Sequence, residues 1–322
     1  PLKFNPLFEE RIWGGDQLRR KMDKKLPEGK LMGESWELSG MPGSESVVAE
    51  GPWTGSTLPE LIGRFGAELL GKANYARFGQ EFPLLVKFID AREDLSIQVH
   101  PDDELARKRH GKSGKCEMWY VLEAEPGASL LTGFSRPIAP AEYERRVADN
   151  TLTDVLNRQA IASGDVFYLP AGRVHSIGKG SFIVEIQQSS DITYRIYDFD
   201  RRDAAGNSRE LHTELAREAI DFESSENSRI TYAPENNQEV RLVTTPYFTT
   251  SLYTLTARTR CDWSATDSFV AIVLLQGSGS LTDNEGNRID VRQGETWLLP
   301  ASTQWTEITP HTATLRLLTS RI

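Results

Sequence analysis

The sequence predicts a mainly β protein, built as two tandem antiparallel units with a few short helices. Three observations carry that reading. Short apolar runs alternate with polar residues and are closed by Gly or Pro, as strands and turns are. Stretches with a helical period are few. A strand-and-turn frame also occurs twice. Gly164-Asp165-Val166-Phe167-Tyr168-Leu169-Pro170-Ala171 is matched by Gly294-Glu295-Thr296-Trp297-Leu298-Leu299-Pro300-Ala301, and Val273 to Leu281 echoes Val121 to Leu130.

In order, residues 1 to 56 hold strand-like pieces: Arg11 to Gly15, Gly33 to Ser39 and Ser46 to Ala49. Leu58, Leu61, Ile62, Phe65, Leu69 and Leu70 then fall at helical spacing, with Thr57 as cap and Pro59 in the first turn, which predicts the first helix. Phe82 to Asp90 is an apolar strand interrupted by Lys87. Leu95 to His100 is a second, and Asp102 to Arg109 a short surface helix. Glu117 opens a strand that runs to Leu122. Pro140 to Arg158 reads as helix through Tyr143, Val147, Leu152, Val155 and Leu156. The strand from Gly164 ends at Pro170, turns through Gly172 and delivers His175 to the next strand, and Ser181 to Gln187 is a further strand carrying Glu185. Glu210 to Phe222 reads as helix. Residues 223 to 239, rich in Glu, Ser, Asn and Pro, form a boundary, so we expect domains at 1–235 and 236–322, the second made of short strands.

A length of 322 residues suits about two domains. The hydrophobic fraction of 39%, the charged fraction of 26% and the absence of any long apolar run describe an ordinary globular protein without a membrane span. A net charge of −9 argues against nonspecific nucleic-acid binding but leaves room for a small anion held by a few cations. Cys116 and Cys261 form no CxxC pair or disulfide framework, no basic-then-apolar leader opens the chain, and Pro1 implies removal of an initiator methionine. These features predict a cytoplasmic protein.

Side chains alternate across a strand, so Leu95, Ile97 and Val99 share one face while Ser96, Gln98 and His100 share the other. Alone, this is a half-solvated strand. Lys87 within its apolar run either snorkels to a sheet edge or faces a polar cavity. Lys115, two residues before Glu117, can lean the same way as Glu117. The segment Gly111-Lys112-Ser113-Gly114-Lys115 lacks the spacing of a phosphate loop and leads into a strand, which excludes nucleotide binding of that kind.

Gly164, Pro170, Gly172 and His175 match the pattern Gly-(x5)-Pro-x-Gly-(x2)-His, the second motif of the cupins. That resemblance implies two tandem cupin-type jelly-roll barrels or sandwiches, with a metal in the mouth of the first. The second copy has Ser302 and Trp305 where the first has Gly172 and His175, so it keeps the frame and lacks the ligand. Gln98, His100 and Glu117 would complete a set of mixed nitrogen and oxygen donors without sulfur. Such a set suits Zn²⁺ with an open position, and also Mn²⁺, Fe²⁺ or Co²⁺.

A closer resemblance covers most of residues 1 to 201. Pro83 to Asp90, Leu95-Ser96-Ile97-Gln98-Val99-His100-Pro101-Asp102, Lys115 with Glu117, Trp13-Gly14-Gly15, Gly33 to Glu37, and Ser190-Asp191 leading to Arg195 are similar to type I mannose-6-phosphate isomerases. The Tyr-Arg-Ile-Tyr-Asp-Phe-Asp-Arg context of Arg195, and the lack of a long helical insert, resemble the compact bacterial branch. The resemblance implies zinc at Gln98, His100, Glu117 and His175, and phosphate or substrate contacts from Ser96, Lys115 and Arg195, with Lys87 and Glu185 lining the pocket. Arg201 stands where long relatives carry Lys.

Moving a proton between C1 and C2 of an aldose requires an electrophile for the developing oxyanion, which a Lewis-acid metal or a nearby guanidinium, here Arg195, can supply, and a positioned base. Glu185 is the candidate base, with Lys115 and Lys87 as competitors. Its plainer role is an ion pair with Arg195 or Lys87. The plainer role of Arg195 is a surface ion pair within the Asp198-to-Asp203 charge run, although a planar guanidinium suits a sugar phosphate. His110, His212 and His311 read as surface or cap residues, and Trp13, Trp36 and Trp119 as core, with a place flanking the pocket as the alternative. The leading expectation is a zinc-dependent mannose 6-phosphate/fructose 6-phosphate isomerase, monomeric or homodimeric. The alternatives are an isomerase or epimerase of another phosphorylated sugar, or a cupin that binds a sugar phosphate without turnover. A storage-type cupin, which needs no ligand set, is disfavoured.

Overall fold

The computed structural model describes residues 1–202, 205–223 and 227–322. Asp203 of the charge run and residues 224–226 of the 223–239 boundary lie outside the described residues. The chain is mainly β, with seven short α-helices among the described residues.

Four large antiparallel sheets and a layer of helices stack in sequence. The first seven-stranded sheet runs Arg229–Ile230, Val166–Leu169, Glu117–Ala124, Ser181–Gln188, Leu84–Ala91, Leu7–Gly15, Met32–Leu38. It faces a five-stranded sheet of Leu156–Ala160, Ser129–Phe134, His175–Ile177, Ile97–Val99 and Tyr194–Tyr197. Trp13, Ile89, Trp119, Val121, Phe167 and Ile183 from the first sheet meet Leu95, Leu130 and Ile177 from the second, as in a β-sandwich. Ile97, Val99, Leu131, Tyr194 and Ile196 point the other way, onto the helices Asp103–His110, Pro140–Ala148 and Thr213–Ala219. The period-two reading of Leu95 to His100 therefore holds, except that Leu95, ahead of the three-residue strand, packs inward.

A second seven-stranded sheet runs Glu239–Thr244, Thr249–Leu255, Leu315–Arg321, Val270–Gln276, Thr296–Leu299, Leu2–Asn5, Val47–Val48. It packs its own inner face on the four strands Thr259–Asp262, Trp305–Pro310, Ser278–Asp283 and Arg288–Arg292. The two seven-stranded sheets meet back to back: Phe88, Met118, Tyr120, Phe182, Val184 and Ile186 lie against Leu242, Phe248, Leu252, Ala271, Val273 and Leu318. Two short strands from the first 50 residues thus complete the C-terminal sheet.

The repeat extends to register. Phe167 pairs with Trp119, Trp119 with Glu185, and Glu185 with Lys87. In the second unit Trp297 pairs with Ile272, Ile272 with Thr319, and Thr319 with Ser251. Likewise Gln98 and His175 pair in the first unit, where Asp262 and Trp305 pair in the second.

Several element boundaries differ from the sequence reading. The helix expected over Pro140 to Arg158 stops at Ala148, because Asn150 turns left-handed at φ 54°; a 3₁₀ turn at Leu152–Val155 and the strand Leu156–Ala160 follow. The helix expected over Glu210 to Phe222 covers only Thr213–Ala219. Gln17–Met22 precedes the helix expected as the first, and Lys72–Phe78 is a further helix. Leu58 to Leu70 splits into Leu58–Phe65 and Ala67–Leu70 at Gly66. Thr57 does cap it: its hydroxyl accepts from the Glu60 N–H, while the Glu60 carboxylate accepts from the Thr57 N–H at 2.7 Å. Thr57→Ala is expected to lower unfolding free energy by about 1 kcal/mol in urea titration.

Candidate active site

A turn that crosses from one sheet to the other brings the site together. The strand Val166–Leu169 ends at Pro170, Gly172 takes φ +85°, and its N–H donates to the His100 carbonyl at 2.9 Å. A Cβ there would sit 3.0 Å from the Ala219 carbonyl oxygen, so glycine is required twice over. This turn places His175 opposite Gln98 in the ladder, and Arg195 lies opposite Gln98 from the other side. Residues directly opposite across a ladder share a face, so His175, Gln98 and Arg195 form one row on the inner face. Glu117 faces that row from the opposing sheet.

The donor atoms of His100, Glu117 and His175 lie within 4.8 Å of one another, all buried. His100 Nε2 is 3.0 Å and Lys115 Nζ 2.5 Å from Glu117 Oε1; His175 Nε2 is 3.8 Å from Glu117 Oε2. The Gln98 amide is 3.4 Å from His175 Nε2. Both imidazoles are held by their other nitrogen: Nδ1 of His100 donates to the Ile192 carbonyl and Nδ1 of His175 to the Arg173 carbonyl, each at 2.8 Å. A carbonyl only accepts, so Nδ1 carries the hydrogen and each Nε2 presents a lone pair. Burial, reinforced by Lys115, brings His100 down to about 3, and burial also lowers His175. Glu117, although buried, is held well below the usual carboxylate range by Lys115, His100 and His175. Two imidazole lone pairs thus converge on an ionised carboxylate whose Oε1 has no aligned hydrogen-bond donor. Such a group of acceptors calls for a cation, and neutral His with ionised Glu is the form that ligates metals. The donor chemistry therefore fits a divalent ion.

Beside this cluster lies a second ionic pair. Lys87 and Glu185 are opposite one another in register, and Nζ is 2.9 Å from Oε1. Lys87 does not snorkel: its strand is central, it is 6% exposed, and its ammonium lies 5.2 Å from the Trp36 ring centroid. Burial and the charge of Glu117 raise Glu185 above the ordinary glutamate value, with Lys87 opposing them. The ion pair foreseen as Glu185's plainer role is thus present, with Lys87 rather than Arg195. Glu34, held to about 2 by Lys87 and Arg11 against its burial, extends the chain of charges outward.

Arg195 is half-buried. It donates from Nη1 to the Glu210 carbonyl at 2.9 Å, while its Nε has no partner among the described residues. Burial, together with Arg209, lowers its pKa. It makes no ion pair with a carboxylate among the described residues. Asp198 instead takes Arg201 and Arg209, with Nη2 of each 2.5 Å from Oδ1, and Arg201 also donates to the Asp94 carbonyl. Ser96 is buried beside Gln98 without a side-chain hydrogen bond among the described residues.

Two residues do more than the sequence reading gave them. Trp119, read as core with a pocket-flanking place as the alternative, donates to Glu117 and Glu185. His212, read as a surface or cap residue, accepts the backbone N–H of Arg195 through Nδ1 at 3.1 Å. Glu117 is two residues before Trp119 on the same strand, but Glu185 and, for His212, Arg195 come from separate segments, so spacing could not reveal those contacts.

A cupin-like double sandwich, carrying a candidate divalent-metal centre in one unit, is the class that the fold and this cluster define. Residues 2–131 match the catalytic-domain family of type I phosphomannose isomerase. A mannose-6-phosphate isomerase of Bacillus subtilis is 35% identical over 304 residues, covering 93% of each chain, and that of Streptococcus mutans is 34% identical over 301, covering 93% of this chain and 92% of its own. The crystal structure of mannose 6-phosphate isomerase from Bacillus subtilis superposes with a TM-score of 0.90 at 31% identity, covering 100% of this chain and 99% of that one. The chain belongs to the type I mannose-6-phosphate isomerase family and is an isomerase. No helix among the described residues is long and apolar enough to cross a membrane.

Proposed function

We propose that the chain interconverts mannose 6-phosphate and fructose 6-phosphate through a cis-enediol, using a single divalent ion, Zn²⁺ by preference. The observation that carries the reading is the pairing of the His100–Glu117–His175 cluster with a buried Lys87–Glu185 couple on the same sheet face. Gln98, His100, Glu117 and His175 would hold the ion. When bound, it supplies Lewis acidity to the oxygens on C1 and C2.

The chain's own residues do the rest. Glu185 takes the proton from C2 of the open-chain aldose and returns it to C1, while the hydroxyl proton passes from O2 to O1 of the enediolate, and the ketose runs the reverse path. Its raised pKa suits a base working near neutrality, and Lys87 keeps it ionised between turnovers. The Lys115 ammonium beside Glu117 adds positive charge where the enediol oxygens become anionic. Arg195 offers a partly desolvated guanidinium in the same row as Gln98, suited to the phosphate, with Ser96 and Arg201 as further contacts.

We further infer that 1–235 and 236–322 divide the work by ligand content rather than by sheet membership. Asp262, Trp305 and Val270 stand in the second unit where Gln98, His175 and Glu117 stand in the first. A soluble sugar phosphate as substrate fits a cytoplasmic enzyme acting as monomer or homodimer.

The test is turnover of mannose 6-phosphate by purified protein before and after exhaustive dialysis against a chelator. Activity is expected to vanish and to return with Zn²⁺, and Tm to rise on loading, since an ion at 1,000 times its Kd stabilises by about 4 kcal/mol. Full activity without metal refutes the ion's role, and zinc binding with no turnover favours a binding module.

A further inference from the structure

Trp119 lies fully buried in the strand Glu117–Ala124 and directs its indole N–H between two carboxylates. Nε1 is 3.1 Å from Glu117 Oε2 and 2.9 Å from Glu185 Oε2. An indole has one hydrogen to give and accepts none, so the two oxygens share it. The other oxygen of each carboxylate faces a lysine: Lys115 is 2.5 Å from Glu117 Oε1 as an ion pair without an aligned hydrogen bond, and Lys87 donates to Glu185 Oε1 at 2.9 Å. Each anion is therefore gripped between its own lysine and the common N–H.

The ring has no freedom to lend that hydrogen elsewhere. It packs among Trp13, Val121, Phe167 and Ile183, and its edge meets the His175 ring at 5.4 Å and 78°. A tryptophan that served only as core would need at most one acceptor. Two carboxylates brought together in a water-poor site repel, and one donor placed between them eases that repulsion while fixing both positions.

The second unit supplies a comparison inside the same chain. Where the first has the row Lys87, Glu185, Trp119, Phe167, the register of the second gives Ser251, Thr319, Ile272, Trp297. Both charges of the row are gone there, Val270 replaces Glu117, and the row's indole stands a strand away at Trp297, where it donates to Glu295 at 3.3 Å instead of lying between two carboxylates. The frame folds without a tryptophan at this position, so packing does not by itself demand one.

We propose that Trp119 is a positioning residue of the isomerisation, its single N–H setting Glu185 at a fixed place relative to Glu117. This rests on the reading of Glu185 as the base and Glu117 as a metal ligand. Trp119 touches no reacting atom; it acts through the two carboxylates.

The decisive variant replaces Trp119 with 3-benzothienylalanine, which keeps the bicyclic ring and removes only the N–H. W119F serves as a second variant, and Tm and near-UV circular dichroism check that each is folded. With saturating Zn²⁺, kcat is expected to fall about 10-fold with KM within about twofold, since a base displaced slightly loses rate rather than binding. The Zn²⁺ dissociation constant, measured by competition with a chromophoric chelator, is expected to rise about 10-fold. In an E185Q background the same replacement should change kcat by less than about twofold, because the group it positions is already disabled. An unchanged kcat in the parent, or an equal loss in the E185Q background, overturns the proposal. Near-normal turnover by E185Q alone removes the base assignment and this inference with it, and that result is read without altering Trp119.

Discussion

Glu185→Gln is expected to lower kcat by about 100-fold or more, with KM for mannose 6-phosphate within about twofold. The carboxamide keeps the shape and can still accept the Trp119 N–H, but it cannot take a proton from carbon. Only the ionised carboxylate works as base, so in the parent enzyme kcat should fall as pH drops through the titration of Glu185. Burial and the nearby Glu117 charge raise that titration above the ordinary glutamate value, which places the acid limb nearer neutrality than a solvated glutamate would. The sign follows from the acid: protonation, favoured by the raised pKa, removes activity on the acidic side. In the Gln variant that limb should disappear from the residual rate. The variant also leaves Lys87 facing Glu34 without its nearest anion, so some loss of Tm is expected alongside. Rates must therefore be compared well below the transition. A variant that turns over normally would return Glu185 to the role of a structural ion pair and leave Lys115 as the next candidate.

The candidate metal cluster was legible through the family resemblance, to which local rules added only the placing of single residues. Period two put Gln98 and His100 on one face, and the Pro170–Gly172 turn could deliver His175 only to the start of the next strand. Lys115 next to Glu117 followed from spacing of the same kind. What spacing could not tell was which oxygen each lysine holds, or that Lys87 meets Glu185. That contact depends on the register of strands 98 residues apart in sequence. The same limit hid Trp119, whose face was readable but whose second acceptor was not. The misread helix after Pro140 has a different cause. Leu152, Val155 and Leu156 continue a helical period past the left-handed Asn150, so hydrophobic spacing outvoted the stop signal that an Asn provides. Tandem units were visible as a repeated motif, yet the pairing of Leu2–Asn5 with Thr296–Leu299 carries no local mark at either end.

Glu117→Gln should be the more damaging change of the two, and it separates the ion from the fold. Glu117 is the only carboxylate among the clustered donors and the anion that Lys115 faces at 2.5 Å. The amide removes the charge that balances a divalent ion, so Zn²⁺ affinity should fall about 100-fold, and kcat/KM at limiting metal on the order of 1,000-fold. Elemental analysis of the purified variant should find the site largely empty where the parent carries about one ion per chain. The variant also strands the Lys115 ammonium in a buried place without its partner, a loss of about 3 kcal/mol in unfolding free energy. Chelation of the parent removes the ion but leaves the Lys115–Glu117 pair intact. The chelated parent should therefore match the variant in lost activity and exceed it in stability. If E117Q instead kept full metal occupancy, the ion would have to be held outside the His100–Glu117–His175 cluster. The convergence of two imidazole lone pairs on Glu117 would then need a protonated histidine to explain it, against the burial that holds His100 to about 3.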